Sequence, residues 1–232
     1  MEFQSGLARK IASKRKGKVK AWSTYSGLIF VVFIVLTLTS STTAAPSVVI
    51  HIGTQSAFAK YLGNYEYSSD VLQVGVRSQT DWVCIKVQFN GKLSELSSIS
   101  FSDNILQSGG IVVEPYVVIK LTEGKTLVCN PCNSYDLGWY LPWSEWQFRD
   151  TVSKGRWTIA PAETKSLLQP LESWMNILGD RQVTNIYIYI GTWTISSPFQ
   201  CYIGDFAING VHIDIANAKR CLGSSSELPA GF

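Results

Sequence analysis

The segment "VTNIYIYIGTWTISSPFQCYIGDFAING", residues 183–210, holds the clearest structural pattern in the chain. Three isoleucines that begin at Ile186 alternate with Tyr187 and Tyr189, so one row of side chains is aliphatic and the other is aromatic. A period of two is typical of a strand whose two faces meet different surroundings. This half of the segment therefore predicts a half-buried antiparallel strand.

The second half of the segment predicts another strand. Pro198 closes the first run, because proline has no N–H to donate to a strand ladder. The next run extends from Gln200 to Ile208 and ends at Asn209-Gly210, a strong turn signal. We therefore expect the two runs to form a β-hairpin late in the domain.

Most of the chain between Ser47 and Leu222 repeats this strand-like pattern. The segment "DWVCIKVQF", residues 81–89, alternates clearly. One side of the predicted strand would carry Val83, Ile85, Val87 and Phe89, and the other side would carry Trp82, Cys84, Lys86 and Gln88. Helical spacing occurs over residues 163–178, where Pro170 interrupts it. Many short strands with one short helical segment predict an all-β fold, a two-sheet antiparallel jelly-roll sandwich.

The charge lies unevenly along the chain. Residues 1–20 hold seven Lys and Arg side chains against one Glu, a local net charge of +6, whereas the whole chain is +3. The other residues therefore carry a net charge of −3. Nucleic-acid binding needs basic charge on the folded surface, so we expect no nucleic-acid partner.

An uncharged stretch of twenty residues, 22–41, follows the basic tail. It fits a transmembrane signal anchor, a cleaved signal peptide or a prepilin-type signal cut near Gly17. Because positive charge stays inside, the first two interpretations export the C-terminal part. We expect a single-pass protein of the cell membrane, or alternatively a secreted one. The predicted parts are a basic cytoplasmic tail 1–21, a signal anchor or signal peptide 22–45, an exported domain 46–222 and a polar tail 223–232.

The strand order and the end of the domain carry a family resemblance. "WVCIKVQF", "YVVIKL" and a Trp-rich middle precede "CYIGDFAING", and the chain over roughly residues 60–215 resembles jelly-roll sandwiches of the carbohydrate-binding-module and galactose-binding-like type. Their last strand often reads Tyr-Ile-Asp-Asp and closes with Asn-Gly. Gly204 departs from this pattern by replacing the first acid. The residues that fit it are Tyr202, Ile203, Asp205, Phe206, Asn209 and Gly210.

Three Trp residues within eight positions, in "GWYLPWSEW" at 138–146, form the densest aromatic feature. Aromatic faces stack on the C–H faces of sugar rings, and nearby acids can accept hydrogen bonds from hydroxyl groups. The alternative is that these rings fill the core or support a long loop, and we expect Trp157 in the core. The predicted ligand-binding residues are Trp139, Tyr140, Trp143, Trp146, Glu145 and Asp136.

Five cysteines follow the apolar stretch, and disulfides become possible outside the cell. A local pair within Cys129-Asn-Pro-Cys132 would stiffen the loop before the Trp-rich segment. Cross-pairing with other cysteines stays open, because pairing cannot be read from spacing. The remaining candidates are Cys84, Cys201 and Cys221.

Catalysis has little support in the sequence. The chain has two histidines and no G-x-S-x-G, and no paired-carboxylate motif of a glycosidase occurs. The family resemblance implies Asp205 as a ligand of a structural Ca²⁺, although Asp205 can equally hydrogen-bond an adjacent loop. We expect no other cofactor.

Taken together, these patterns favour an exported, membrane-anchored, non-catalytic sandwich that binds a surface glycan or polysaccharide through the Trp-rich region. One alternative is a structural cell-envelope, pilus-like or virion subunit, because Trp and Tyr are equally suited to protein interfaces. The other is a polysaccharide hydrolase or lyase, which requires two carboxylates facing each other across a cleft.

Overall fold

The alternating runs form strands in a computed structural model that describes residues 46–78, 80–107, 115–129, 145–160, 168–191 and 198–223. By its contacts the chain divides into Met1–Ala45 and Pro46–Phe232, and all the described residues belong to the second unit. Two short α-helices, α1 (Thr151–Lys154) and α2 (Leu171–Leu178), accompany the strands in these ranges. Two single turns of 3₁₀ helix also occur there, at Leu93–Glu95 and Thr122–Gly124. In chain order the strands are β1 (Val48–Ile52), β2 (Phe58–Tyr65), β3 (Ser68–Val76), β4 (Trp82–Lys92), β5 (Ile99–Gln107), β6 (Tyr116–Leu121), β7 (Thr126–Cys129), β8 (Gln147–Asp150), β9 (Trp157–Ala160), β10 (Gln182–Gly191), β11 (Phe199–Ile208), β12 (Val211–His212) and β13 (Lys219–Leu222).

The strands lie in two sheets, which confirms the predicted all-β sandwich. Sheet A has the order β13-β1-β4-β10-β6-β7-β9, and sheet B has the order β2-β3-β11-β5-β8, with β12 paired to β11. Among the described pairs, β1 and β13 run parallel and the others run antiparallel. The expectation of a purely antiparallel sandwich is thus wrong at one edge of sheet A.

The expected hairpin between β10 and β11 is also wrong. β10 pairs with β4 and β6 in sheet A, whereas β11 pairs with β3 and β5 in sheet B. The chain therefore crosses from one sheet to the other after Gly191. A tight turn instead follows β11, at Asn209-Gly210, where Ile208 of β11 pairs with Val211 of β12.

The main core fills the space between the sheets. The isoleucine row of β10 meets inward side chains of both sheets, and Trp157 is completely buried as expected. Burial of each such large apolar side chain contributes about 1.5–3 kcal/mol. The largest fully buried members include Trp157, Phe101, Phe199, Phe206 and Leu72.

The outward row of β10 is buried as well, so the expectation that this strand is half-buried is wrong. Tyr187 and Tyr189 stack with ring centroids 5.4 Å apart, and Tyr189 stacks on Tyr116 of β6 at the same separation. Trp82 and Cys84 of β4 complete this second apolar cluster on the outer side of sheet A. Burial on both faces explains why the second row of this strand consists of large aromatic side chains rather than charged ones.

The helix α2 lies within the predicted helical segment 163–178 and begins directly after Pro170. The indole N–H of Trp174 in α2 donates to the carbonyl of Trp157, at 2.8 Å. The turn of helix in α1 was not predicted. It is capped by the Asp150 carboxylate, which accepts from the N–H of Val152 at 3.2 Å.

The cysteines lie apart from one another in the described ranges. No disulfide joins any two of Cys84, Cys129, Cys201 and Cys221 there, so cross-pairing among these four is absent. Cys132 lies outside the described residues, and its pairing with Cys129 stays a prediction. Burial raises the pKa of the Cys201 thiol well above its ordinary value.

The predicted membrane segment, residues 22–45, lies outside the described residues. Of the helices that the structure describes, none has the length and apolar character needed to cross a membrane. The signal anchor therefore stays a prediction.

Asp81 organises the loop between β3 and β4 from a buried position, with 1% of its surface exposed. Its carboxylate accepts hydrogen bonds from the hydroxyls of Thr54 and Ser56 and from the backbone N–H groups of Arg77 and Ser78. Although burial raises the pKa of Asp81, these donors outweigh it and lower that pKa to about 2. The ionised carboxylate is therefore a stabilising element of the fold.

Asp81→Asn removes this charged acceptor, and we expect it to lower the free energy of unfolding by about 2 kcal/mol at pH 7. Because the folded-state pKa is depressed, the stabilisation is present above pH 3.8, the usual value, and is lost as pH falls towards 2. Denaturant unfolding between pH 7 and pH 2 should therefore show the two proteins converging in acid. Asp180→Asn, which removes an exposed partner of Lys92, serves as the control and should cost less than about 1 kcal/mol. Equal stability of the native chain and Asp81→Asn at pH 7 would contradict the assignment.

Candidate functional site

The outward side of sheet B carries polar and aromatic side chains, in contrast to the apolar outer side of sheet A. Cys201 and Ile203 of β11 point into the core, so Tyr202 between them points outward. Tyr202 pairs with Gln73 of β3 on one side and with Asn104 of β5 on the other. We call the outward side chains of this sheet, together with the adjoining rings, the sheet B face; its members are Lys60, Tyr65, Gln73, Ser102, Asn104, Trp146, Phe148 and Tyr202.

Three aromatic rings form the centre of the sheet B face. The rings of Trp146 and Tyr202 are stacked, with centroids 6.1 Å apart and planes inclined by 19°. Tyr65 at the end of β2 contacts Tyr202 at 4.8 Å between centroids and at a steeper angle of 54°. The indole N–H of Trp146 donates to the Glu66 carboxylate at 2.7 Å. The Trp ring is therefore held from two directions.

Tyr202 keeps its proton throughout the physiological range. Its hydrogen bond with Tyr65, followed by partial burial, raises the pKa of Tyr202 to about 12. A neutral phenol can donate a hydrogen bond, and its ring remains an uncharged stacking surface. The centre of the face is thus polar at its edges without carrying a charge on the rings.

Asn104 adds a polar atom that lacks a partner. The residue is 4% exposed, and its side-chain oxygen accepts no hydrogen bond from the described residues. An unsatisfied buried acceptor costs about 1–3 kcal/mol, so such groups need an explanation. Asn104 lies directly opposite Tyr202, and its oxygen is covered rather than open to the surface beside the aromatic centre.

Asp205 ties the β2–β3 turn to β11, beside the sheet B face. Its carboxylate accepts from the Ser68 hydroxyl at 2.7 Å and from the N–H and hydroxyl of Ser69 at 2.9 and 2.7 Å. Although burial raises it, these hydrogen bonds hold the pKa of Asp205 below its usual value. No cluster of three or more potential metal ligands occurs among the described residues. The role of Asp205 in binding Ca²⁺ stays a prediction.

The structure places two of the predicted ligand-binding residues at the start of β8. Trp146 belongs to the aromatic centre, and Glu145 beside it is exposed. The other predicted residues, Trp139, Tyr140, Trp143 and Asp136, lie outside the described residues.

Sequence reasoning missed the partners that surround Trp146. Tyr65, Glu66 and Asn104 come from strands and turns far away in the chain, and no local motif marks them. Tyr202 was noted only within the family pattern. Its position between the apolar Cys201 and Ile203 is the signal that could have identified it as an outward ring.

The comparisons with known proteins give a structural similarity but no family match. A scan against protein-family models and a search of curated proteins found no match. Among solved structures, the chain is similar to the family 11 carbohydrate-binding module of the cellulosomal cellulase Lic26A-Cel5E of Clostridium thermocellum. The similarity covers 81% of this chain and 95% of that one, with 10% sequence identity and a TM-score of 0.42. At this identity and TM-score the similarity assigns no ligand to the sheet B face.

Asp205→Ala leaves the donors of Ser68 and Ser69 without their acceptor, and we expect the free energy of unfolding to fall by about 1–3 kcal/mol. The loss should be the same in excess Ca²⁺ and in EDTA, because the hydrogen bonds need no metal. Thermal unfolding of the native chain and the variant under both conditions measures this. Asp214→Ala, which removes an exposed acceptor for Asn217, is the control. A Ca²⁺-dependent melting temperature that disappears in Asp205→Ala would instead support the metal site.

Proposed function

We propose that this protein binds a surface glycan or polysaccharide on the sheet B face, without catalysing its cleavage. The observation that carries the proposal is the stacked pair Trp146 and Tyr202, supported by Glu66 and Tyr65. Rigid aromatic rings with polar groups at their edges suit the recognition of sugars.

A sugar ring offers C–H faces for stacking and hydroxyl groups at its rim. The C–H faces would pack on the aromatic centre, where Trp146 contributes the larger apolar area. Hydroxyl groups at the rim of the sugar would form hydrogen bonds with the polar side chains that surround the rings. Gln73 and Lys60, which pair with each other across β3 and β2, supply further polar contacts on the same side of the sheet.

The Trp-rich segment would extend this surface. Trp143 precedes Trp146 by three residues, and Tyr140 and Trp139 precede Trp143 by three and four residues. Asp136 and Glu145 provide acceptors for sugar hydroxyl groups. In this proposal the segment adds rings to a face whose centre the strands have already built.

The proposal includes export and anchoring of the domain. The basic tail 1–21 and the uncharged stretch that follows support a single pass with the sandwich outside the cell, or secretion after cleavage near Ala45. A glycan-binding domain needs such a location to reach surface polysaccharides. N-terminal sequencing of the mature protein would distinguish a retained anchor from a cleaved signal.

Binding is tested with the full-length chain against a panel of soluble polysaccharides, with intrinsic Trp fluorescence and calorimetry as the readouts. We expect saturable binding to one glycan class, and a loss of affinity on the order of tenfold or more in Trp146→Ala and in Tyr202→Ala. Ile177→Ala, which truncates an exposed apolar side chain on α2 outside the sheet B face, should bind as the native chain does.

Two results would contradict the proposal. If no polysaccharide binds and the chain self-associates in a manner that Trp146→Ala abolishes, the face is a protein interface of a structural envelope subunit. If a bound polysaccharide is shortened during the measurement, the protein is a hydrolase or lyase. Size-exclusion chromatography of the protein and of the glycan distinguishes these results.

A further inference from the structure

The edge strand β8 has an orientation opposite to the one that its sequence favours. It reads Gln-Phe-Arg-Asp, and Phe148 is its only apolar residue. Patterning by polarity places such a Phe in the core and the neighbouring Arg in water. In the structure Phe148 is 66% exposed, whereas Arg149 is 3% exposed.

A buried partner holds Arg149 on the inner side. Its Nε donates to an oxygen of Asp103 at 2.7 Å, and Asp103 is itself 1% exposed on the neighbouring strand β5. Removing both charges from water costs several kcal/mol per ion, so an apolar pair of similar size could stabilise the fold as well or better. Net stability therefore does not explain why the pair is present.

The pair is explained by the need to select one register between β8 and β5. A slip of one residue between β8 and β5 would turn Phe148 inward and Arg149 outward, because side chains alternate across a strand. Asp103 would then remain in the core without its cation, and breaking a buried pair in this way is strongly unfavourable. The pair thus excludes the register that the apolar side chain would otherwise select. Such a constraint matters here because β8 is short and lies at the edge of sheet B.

The excluded register would also remove Phe148 from the sheet B face. In the observed register Phe148 lies opposite Ser102, whose neighbours Phe101 and Asp103 point inward. Trp146 precedes Phe148 by two residues, a spacing that places both side chains on one side of an extended chain. The outward Phe is therefore a further ring on the side that carries Trp146 and Tyr202.

We propose that the buried Arg149–Asp103 pair is a positioning device that fixes the register of β8, and that Phe148, displayed by it, contacts the glycan. The second part rests on the proposed function, and the first part does not. An exposed Phe on an edge strand favours unwanted association, so contact with a ligand accounts for its retention outside the core.

The register is tested by cross-linking in the full-length chain. Ser100→Cys combined with Asp150→Cys places two thiols on directly opposite residues, whose Cβ atoms are about 5 Å apart in such pairs, and it keeps Phe148, the side chain that favours the other register. Mild oxidation should join them, with peptide mass mapping to exclude links to native cysteines. Adding Asp103→Asn should lower the yield several-fold, whereas adding Asp180→Asn should not.

A second variant keeps the test decisive if Asp103→Asn lowers the cross-linking yield only because the protein unfolds. Asp103→Leu with Arg149→Met replaces the pair by apolar side chains of similar size, which should preserve the fold. Without the charges both registers become acceptable, and the cross-linking yield should fall below that of the native pair although the circular dichroism spectrum is retained. A folded double variant that cross-links as fully as the chain with the native pair would overturn the positioning role.

Contact with the glycan is tested by affinity. We expect Phe148→Ala to weaken binding on the order of tenfold without changing the melting temperature, and Phe148→Tyr to retain it. If Trp146→Ala abolishes binding but Phe148→Ala binds as the native chain does, the contact is overturned while the proposed function stands. If the native chain binds no glycan, the contact and the proposed function fail together, and the cross-linking result still decides the register.

Discussion

The long strands of the sandwich must bury a row of apolar side chains, and most of this burial occurs in the space between the two sheets. The isoleucines of β10, the inward residues of β4 and the inward residues of β11 meet there, and Trp157 closes one side of the core. Because alternate residues of a strand point to opposite sides, the same constraint decides what each sheet displays outward. Sheet A presents a second buried apolar cluster, while sheet B presents polar and aromatic side chains.

The candidate site depends on rigid support of its rings. Trp146 is fixed by stacking on Tyr202 and by its hydrogen bond to Glu66, and Tyr202 is fixed by Tyr65. Asp205 joins the turn that carries Tyr65 and Glu66 to β11. Rings that are already ordered lose little conformational entropy when a ligand stacks on them, so such support favours binding.

Buried polar groups serve two different purposes in this sandwich. Asp81 is surrounded by four donating groups and stabilises its loop. Asp103 and Arg149 gain little net stability from one another, since both lose their hydration. Their value lies in choosing one register of β8 over another. Asn104 differs from these groups, because its buried oxygen accepts nothing from the described residues.

The sequence by itself determined the fold class, the alternation within β4 and β10, the place of Trp157 in the core and the presence of a short helix within residues 163–178. These features follow from local periodicity and from the missing N–H of proline, which act over a few residues. Tertiary structure alone decided that β10 and β11 lie in different sheets, that the tyrosines of β10 are buried, and that Arg149 rather than Phe148 points inward. No local sequence pattern marks the pairing between distant strands or the contact of Arg149 with Asp103. Only the assembled sheets therefore bring together, on one face, the side chains of Trp146, Tyr65, Asn104 and Tyr202.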